Sequence, residues 1–287
     1  ALPNVELSTL KEDLYRRDFT INAMAINLKN EAFGQIVDPF RGQHDLKEKR
    51  IKILHNLSFV EDPTRIFRGV RFETRFGFLM DEHTTNLARH SIESVKDLSV
   101  NRIVGEMARL FMEDYPERTI HRLFELQFWQ QFGVSTDKAE LSCHHAKQLQ
   151  LLYQRNELPH LSIRKPDWFH YFIIPFYHER GVERAKKFVL TKKDTKCLQE
   201  IMSLKAIQWE EIEKIGECHR LIKHHSDEAV LFTIAPLKLV NASIVIEYLK
   251  RRNRLPTLLT GKDLIEQGLK PGASFSNILL ELEVAVL

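Results

Sequence analysis

Asp62 and Arg65 stand three residues apart in Glu61-Asp62-Pro63-Thr64-Arg65, and Arg17 and Asp18 are adjacent in Arg16-Arg17-Asp18-Phe19-Thr20-Ile21-Asn22-Ala23-Met24. Each segment joins a carboxylate to guanidinium groups. A carboxylate only accepts hydrogen bonds and a guanidinium only donates them. At helical spacing Asp62 and Arg65 leave the same face. Together they complement a base edge that shows an amine beside an acceptor ring nitrogen. Adenine and cytosine have that edge, whereas guanine and uracil set a carbonyl against the carboxylate. Such a pair selects A and C without a nucleic-acid template. The plainer reading is structural. Asp62 is then an N-cap with Pro63 at the first helical position, and Glu61 with Arg65 is an i,i+4 ion pair of about 0.2–0.5 kcal/mol.

The segment that follows has helical periodicity. Ile66, Phe67, Val70, Thr74 and Gly77 can face a core, while Arg65, Arg68, Arg71 and Arg75 recur every three or four residues. That spacing lines one side of a helix with guanidinium groups. A solvated face is the ordinary meaning of such a stripe. Beside a base-selecting pair it also suits RNA phosphate, because arginine forks onto its oxygens.

The elements holding these residues are mainly helical. Only 11 Gly and 10 Pro punctuate the 287 residues, and Leu, Ile, Glu, Lys and Arg favour helices. Strand character is confined to residues 1–50. There Ser8-Thr9-Leu10-Lys11-Glu12 opens a capped turn, and Phe19–Leu28 and Gln35–Val37 flank a hairpin turn at Asn30–Gly34. Helices are predicted over Glu82–Ser94, Asn101–Met112 and Thr119–Phe132, with breaks at Leu98-Ser99 and Tyr115-Pro116. The aromatic run Asp167–Tyr177 reads as core rather than as a base-stacking surface. The charged helices from Arg180 to Lys223 carry Lys186-Lys187 and Lys192-Lys193, which either touch an RNA backbone or are simply solvated. Ala229–Leu249, interrupted by Pro236, Lys238 and Asn241, reads as two packed helices and not as a membrane span.

Hydrophobic residues at 43% and charged ones at 28% fit a soluble globular protein. The net charge of +3 is only a mild tilt toward polyanions. Cys143, Cys197 and Cys218 are odd in number and scattered, so no disulfide framework is expected and a reducing, cytoplasmic location fits. Neither Cys143-His144-His145 nor His224-His225 has the spacing of a metal site.

The joint order of motifs resembles the class II tRNA nucleotidyltransferase and bacterial poly(A) polymerase family. Arg16–Met24 is similar to its ribose-binding motif, and Asp38-Pro39-Phe40-Arg41-Gly42 to its hinge motif. Glu61–Arg68 followed by Val70-Arg71-Phe72 matches its base-selecting motif, and Ser99-Val100-Asn101-Arg102-Ile103-Val104-Gly105-Glu106 its helix-supporting motif. Thr260-Gly261-Lys262-Asp263-Leu264 with Gly268–Gly272 extends the likeness toward residue 287. Arg41 stands where the family carries the first glycine of Asp-Pro-Phe-Gly-Gly. If that position needs positive φ, arginine is costly.

The resemblance implies an elongated, mainly α fold. Residues 1–58 would be a small β-containing remnant of a nucleotidyltransferase head, 59–135 a helical neck, and 136–287 a helical body and tail gripping tRNA by shape and phosphate contacts. It implies nucleotide binding by Arg17, Asp18, Asn22, Asp62, Arg65 and Arg68. Glu61 would support them, and an Arg102–Glu106 ion pair would stiffen the neck. Arg71 and Arg75 would touch RNA. The partners implied are tRNA with ATP, CTP or both, and the cofactor is Mg²⁺. The family's metal-binding Asp-x-Asp and Gly-rich phosphate turn precede the ribose motif, and neither occurs in this sequence. The Mg²⁺ ligands and the rest of the head are therefore expected upstream of residue 1, and the chain alone is expected to be inactive. Addition of CCA, of the terminal A alone, or of poly(A) remain open. So do a non-catalytic RNA-binding protein and a regulatory module with relic motifs.

Overall fold

The computed structural model describes residues 9–154, 165–179 and 181–287. Ser8 of the expected capped turn, Arg180, and the corresponding parts of the expected head and body segments lie outside the described residues. The chain is mainly helical and divides into two compact units, residues 1–143 with 171–188, and residues 144–170 with 189–287.

The first unit opens with α1 (Leu10–Tyr15). Its N-cap Thr9 donates N–H to Glu12 Oε2 at 2.8 Å and accepts Glu12 N–H on Oγ1 at 3.3 Å, the anticipated capping box. β1 (Ala25–Ile26) and β2 (Ile36–Val37) pair antiparallel, Ala25 opposite Val37. The hairpin is present with two residues per strand, and Gly34 turns it at φ 82°. α2 (Gly42–Lys47), β3 (Arg50–Ile51), α3 (Ser58–Glu61) and α4 (Thr64–Phe76) follow. Strand character does not end at residue 50, because β4 (Leu79–Met80) pairs in parallel with β3. Gly77 makes that return possible. It is not a core residue as expected but an exposed C-cap at φ 65°, whose N–H donates to Glu73 O at 3.0 Å.

α5 (Glu82–Ser91), α6 (Val100–Leu110) and α7 (Pro116–Glu125) complete the neck-like sequence. The predicted breaks are real, but the helix boundaries other than Glu82 shift by one to seven residues. α5 tightens into a 3₁₀ turn at Ile92, and α7 starts at Pro116 because proline suits the first helical position. α7 then stops before Gln127, whose φ is 63°. α4 packs on α6 and α7 and buries Ile66, Phe67, Val70 and Thr74 as its periodicity predicts. Phe67, Phe128, Trp129, Phe132, Phe172 and Phe188 form the core, with Phe67 edge-on to Phe128 at 5.4 Å and Phe132 edge-on to Phe188 at 5.1 Å.

α8 (Ala139–Gln154) and α9 (Trp168–His178) follow in the chain, and Phe169, Tyr171, Phe172 and Phe176 of α9 are buried, in line with the core reading. In the second unit α10 (Lys192–Leu204) packs on α12 (Asp227–Ile234), and α11 (Ile215–Ile222) on α13 (Leu239–Arg252) and α15 (Ala273–Val286). α12 and α13 are the two helices anticipated within Ala229–Leu249. No helix among the described residues is long and apolar enough to cross a membrane. α14 (Gly261–Glu266) gives the Thr260–Leu264 signature a structural meaning. Thr260 Oγ1 donates to Asp263 Oδ2 at 2.8 Å across a capping box, and Leu264 is buried.

Candidate nucleotide site

Phe19 anchors the Arg16–Met24 segment. It is wholly buried and meets Phe72 of α4 edge-on at 5.8 Å. Thr20 N donates to Lys52 O at 2.9 Å, and Thr20 Oγ1 donates to buried Asp45 at 2.6 Å. Asn22 Oδ1 accepts Phe19 N–H at 3.1 Å and closes the turn. A rigid backbone therefore presents the side chains before Phe19. Arg16, Arg17, Asp18 and Asn22 line a cleft of about 340 Å³ with Arg68 of α4.

Asp18 is the pivot of this cleft. Its side chain is 14% exposed, with Oδ2 2.5 Å from Arg68 Nε and Oδ1 3.6 Å from Arg65 Nε. Arg16 and Arg17 both pair with Asp13, Arg17 at 3.0 Å. Their hydrogen bonds hold the Asp13 carboxyl below the ordinary carboxylate range.

Asp62 and Arg65 are held differently from the helical expectation. Asp62 lies between α3 and α4 at φ −144°, ψ 95°, so the two residues do not share a helix face. Pro63 enforces this, since the residue before proline is pushed out of the α region. Asp62 Oδ1 accepts the N–H of Thr64 at 3.1 Å and its hydroxyl at 2.7 Å, a cap on α4. The same oxygen accepts Arg102 Nη2 at 3.0 Å. Arg102 thus pairs with Asp62 and not with Glu106, which takes Arg109 at 2.6 Å, one position nearer along α6. Arg65, 12% exposed, donates from Nη1 to Ser58 Oγ at 2.7 Å and Ser58 O at 3.3 Å, and from Nη2 to Arg16 O at 3.1 Å. The Glu61–Arg65 ion pair is present at 3.8 Å. No sequence signal pointed to Ser58, seven residues before Arg65 and beyond the i,i+4 interval, or to the Arg16 carbonyl, 49 residues away.

The arginine row is largely committed within the fold. Arg75, half exposed, grips both oxygens of Glu113, at 3.0 and 2.9 Å. Arg71 lies 5.9 Å from the Phe72 ring centroid. Glu73 is buried on the same helix and holds Arg122 of α7 by two contacts, at 2.8 and 3.0 Å. Lys187 lies over the Phe132 ring at 4.4 Å, and Lys193 pairs with Asp167 at 2.7 Å.

The Asp38–Gly42 loop joins this site through Gly42. A Cβ there would fall 2.2 Å from the Thr20 carbonyl oxygen. Arg41 sits at φ 62°, ψ 32°, so that position does take the positive φ at which arginine is costly. Asp38 caps α2 by accepting Gly42 N–H at 2.7 Å and Gln43 N–H at 2.9 Å. Burial works to raise its pKa, but these hydrogen bonds outweigh it and hold the carboxyl below its usual range.

The family profile described as the poly A polymerase head domain matches residues 2–52, and that described as the probable RNA and SrmB-binding site of polymerase A matches residues 77–133. The chain is 34% identical to the A-adding tRNA nucleotidyltransferase of Halalkalibacterium halodurans over 98% of its own length and 65% of that relative's. It therefore spans less than two thirds of that enzyme. A CCA-adding enzyme solved with ATP superposes with a TM-score of 0.80 at 27% identity, over 96% of this chain and 67% of the other. The Thermotoga maritima CCA-adding enzyme complexed with tRNA does so with a TM-score of 0.79 at 25% identity, over 97% and 70%. Together with the motif geometry, these likenesses establish that the chain belongs to the tRNA nucleotidyltransferase and poly(A) polymerase family.

Proposed function

We propose that this chain supplies sugar and base recognition and RNA binding to a template-independent nucleotidyltransferase that adds AMP, CMP or both to the 3′ end of tRNA in the cytoplasm. The observation that carries this reading is the placement of Asp18. A carboxylate from the ribose-like segment stands 2.5 Å from Arg68 and 3.6 Å from Arg65, both on the helix that follows the base-reading Asp62. Sugar and base readers thus meet at one carboxylate.

Residues 1–58 serve as part of the head, 59–135 as the neck, and 136–287 as the tRNA-holding body and tail. Asp18 accepts from the ribose 2′-OH, Arg17 orients it, and Asp62 with Arg65 reads the base edge. Asn22 and Arg68 complete the nucleotide cleft, and Arg71 offers RNA phosphate a cation. The A-adding relative favours ATP as the principal substrate. Mg²⁺ does not fit the groups present here. Asp18 and Asp62 are already paired with guanidinium groups, and the described residues gather no cluster of three His, Cys, Asp or Glu side chains suited to an ion. The metal is therefore assigned to other carboxylates, and no step is built on it here.

The test is incorporation from each of the four labelled nucleoside triphosphates by the full-length protein, on tRNA ending before, within and after the CC sequence. AMP addition restricted to CC ends supports the A-adding form, and CMP addition as well supports the CCA-adding form. Equal use of all four triphosphates would remove the base-reading role.

A further inference from the structure

We propose that the hydroxyls of Ser58 and Thr64 are positioning groups for base selection, each fixing one member of the Asp62–Arg65 pair without touching the nucleotide. This rests on the base-reading role proposed above. Ser58 is wholly buried and Thr64 6% exposed. Each hydroxyl makes one short contact of 2.7 Å, Ser58 Oγ with Arg65 Nη1 and Thr64 Oγ1 with Asp62 Oδ1. They flank the Pro63 bend, one on either side of Asp62.

Counting the remaining donors and acceptors shows what this arrangement leaves over. Arg65 Nη1 spends both N–H groups on Ser58, one on Oγ and one on the carbonyl. Nη2 spends one on the Arg16 carbonyl, and Nε faces Asp18. Of the five N–H groups of a guanidinium, the Nε one is then paired only ionically, with Asp18 at 3.6 Å, and one on Nη2 has no partner among the described residues, so the Nη2 N–H is the donor open to a base. All of the hydrogen bonds to the Asp62 carboxylate, from Thr64 N, Thr64 Oγ1 and Arg102, fall on Oδ1. Oδ2 is left for a ligand. One donor and one acceptor are what the amine and ring-nitrogen edge of adenine or cytosine requires.

Ser58 couples the two readers. Its carbonyl accepts the backbone N–H of Asp62 at 3.2 Å as well as Arg65 Nη1. Without the Ser58 hydroxyl, Arg65 Nη1 regains a free donor, and the guanidinium can rotate to offer two N–H groups where only one discriminates. Without the Thr64 hydroxyl, Asp62 can turn Oδ2 toward Thr64 N and Arg102, presenting no ordered acceptor. In both cases a carbonyl-bearing base is rejected less firmly. Asp62 keeps its Arg102 partner throughout, so the fold survives each change.

The experiment compares kcat/KM for ATP and GTP in the full-length protein carrying Ser58→Ala or Thr64→Val, with melting temperature measured alongside. Each is expected to lower the ATP-over-GTP ratio about fivefold to tenfold, the loss of one hydrogen bond of ordinary strength. The loss should appear mainly in KM, and Ser58→Thr and Thr64→Ser should restore the ratio. Ser58→Cys, close in volume, replaces Ser58→Ala should that variant not fold. A fall in melting temperature or total activity with an unchanged ratio overturns the proposal. Asp62→Asn in the same assay separates the two levels. If it shifts the ratio while the hydroxyl variants do not, only the positioning role fails. If it too leaves the ratio unchanged, the base-reading role itself fails.

Discussion

Arg68 Nε lies 2.5 Å from Asp18 Oδ2, an ion pair that joins α4 to the segment preceding Phe19. With Asp18 Oδ1 also 3.6 Å from Arg65, this carboxylate is held by two arginines where it lines the cleft. A 2′-OH can donate to it, and the deoxy sugar leaves it unmatched. The full-length protein should therefore prefer ATP over dATP by at least about tenfold, or roughly 1.4 kcal/mol. Asp18→Ala should erase most of that preference. Because Asp18 also anchors both arginines, dATP use should fall too, so the ratio and not either rate is diagnostic. An undiminished ratio in the variant assigns the sugar to another group.

Asp62→Asn distinguishes cap from reader. Asparagine caps helices as well as aspartate, so its oxygen can keep the Thr64 contacts made by Oδ1. The amide then stands where Oδ2 stood and donates. Use of ATP and CTP should fall about tenfold to a hundredfold, for one unsatisfied partner at roughly 1–3 kcal/mol, while GTP and UTP gain. Melting should change little. A drop in melting temperature with selectivity intact would mean that Asp62 only caps α4.

Much of this arrangement was legible in the residues. The Thr9–Glu12 capping box, the turn at Gly34, the helix breaks at Ser99 and Tyr115 and the core face of α4 all follow from local propensity and period. The partnership of the arginines was not legible. Helical spacing correctly placed Arg68 and Arg75 on α4, but their partners Asp18 and Glu113 lie fifty and thirty-eight positions away. Spacing reports which face a side chain leaves, and tertiary packing decides what meets it. Arg102 was misassigned for the same reason: Glu106 lies at the right helical interval, but Arg109 competes for it and Asp62 lies within reach across from α6.

Glu73 was missed because a lone glutamate inside an arginine-rich helix reads as a surface residue. Burial raises its pKa by more than Arg122 and the Met80 N–H lower it. Removing Arg122 leaves a buried charge unpaired, and Arg122→Met should destabilise the protein at neutral pH by about 3–5 kcal/mol. Because the folded-state pKa of Glu73 lies above its unfolded value, its contribution is present in acid and is lost as pH rises through the folded value. The variant pushes that value further up. Urea unfolding should therefore show a larger penalty at pH of about 7.5 than at about 5. A penalty independent of pH would place the cost in lost packing of the Arg122 stem.

The pair Arg41 and Gly42 gives the sharpest contrast between neighbouring residues. Arg41 occupies the left-handed region at φ 62° and is exposed, so its side chain offers no evident compensation for the strain. Left-handed backbone costs an L-residue about 1–2 kcal/mol, partly offset in any glycine replacement by the roughly 0.5–1 kcal/mol of extra chain entropy lost on folding. Arg41→Gly should thus stabilise the protein by about 0.5–1 kcal/mol, and Arg41→Val should destabilise it, since a β-branched residue is least tolerant of that region. Gly42 behaves oppositely. Its missing Cβ lets α2 approach the Thr20 carbonyl, and any Cβ would stand 2.2 Å from that oxygen. Gly42→Ala must displace Thr20, and with it the Asp45 hydrogen bond and the turn that Asn22 closes. Melting temperature should therefore rise for Arg41→Gly and fall for Gly42→Ala, and the latter should also weaken ATP use because Asp18 and Asn22 line the adjacent cleft. If Arg41→Gly proves destabilising, the guanidinium is making a contact that outweighs the strain. If Gly42→Ala is tolerated with nucleotide use intact, the loop is not clamped to the Thr20 turn, and the link from the hinge-like segment to the cleft fails.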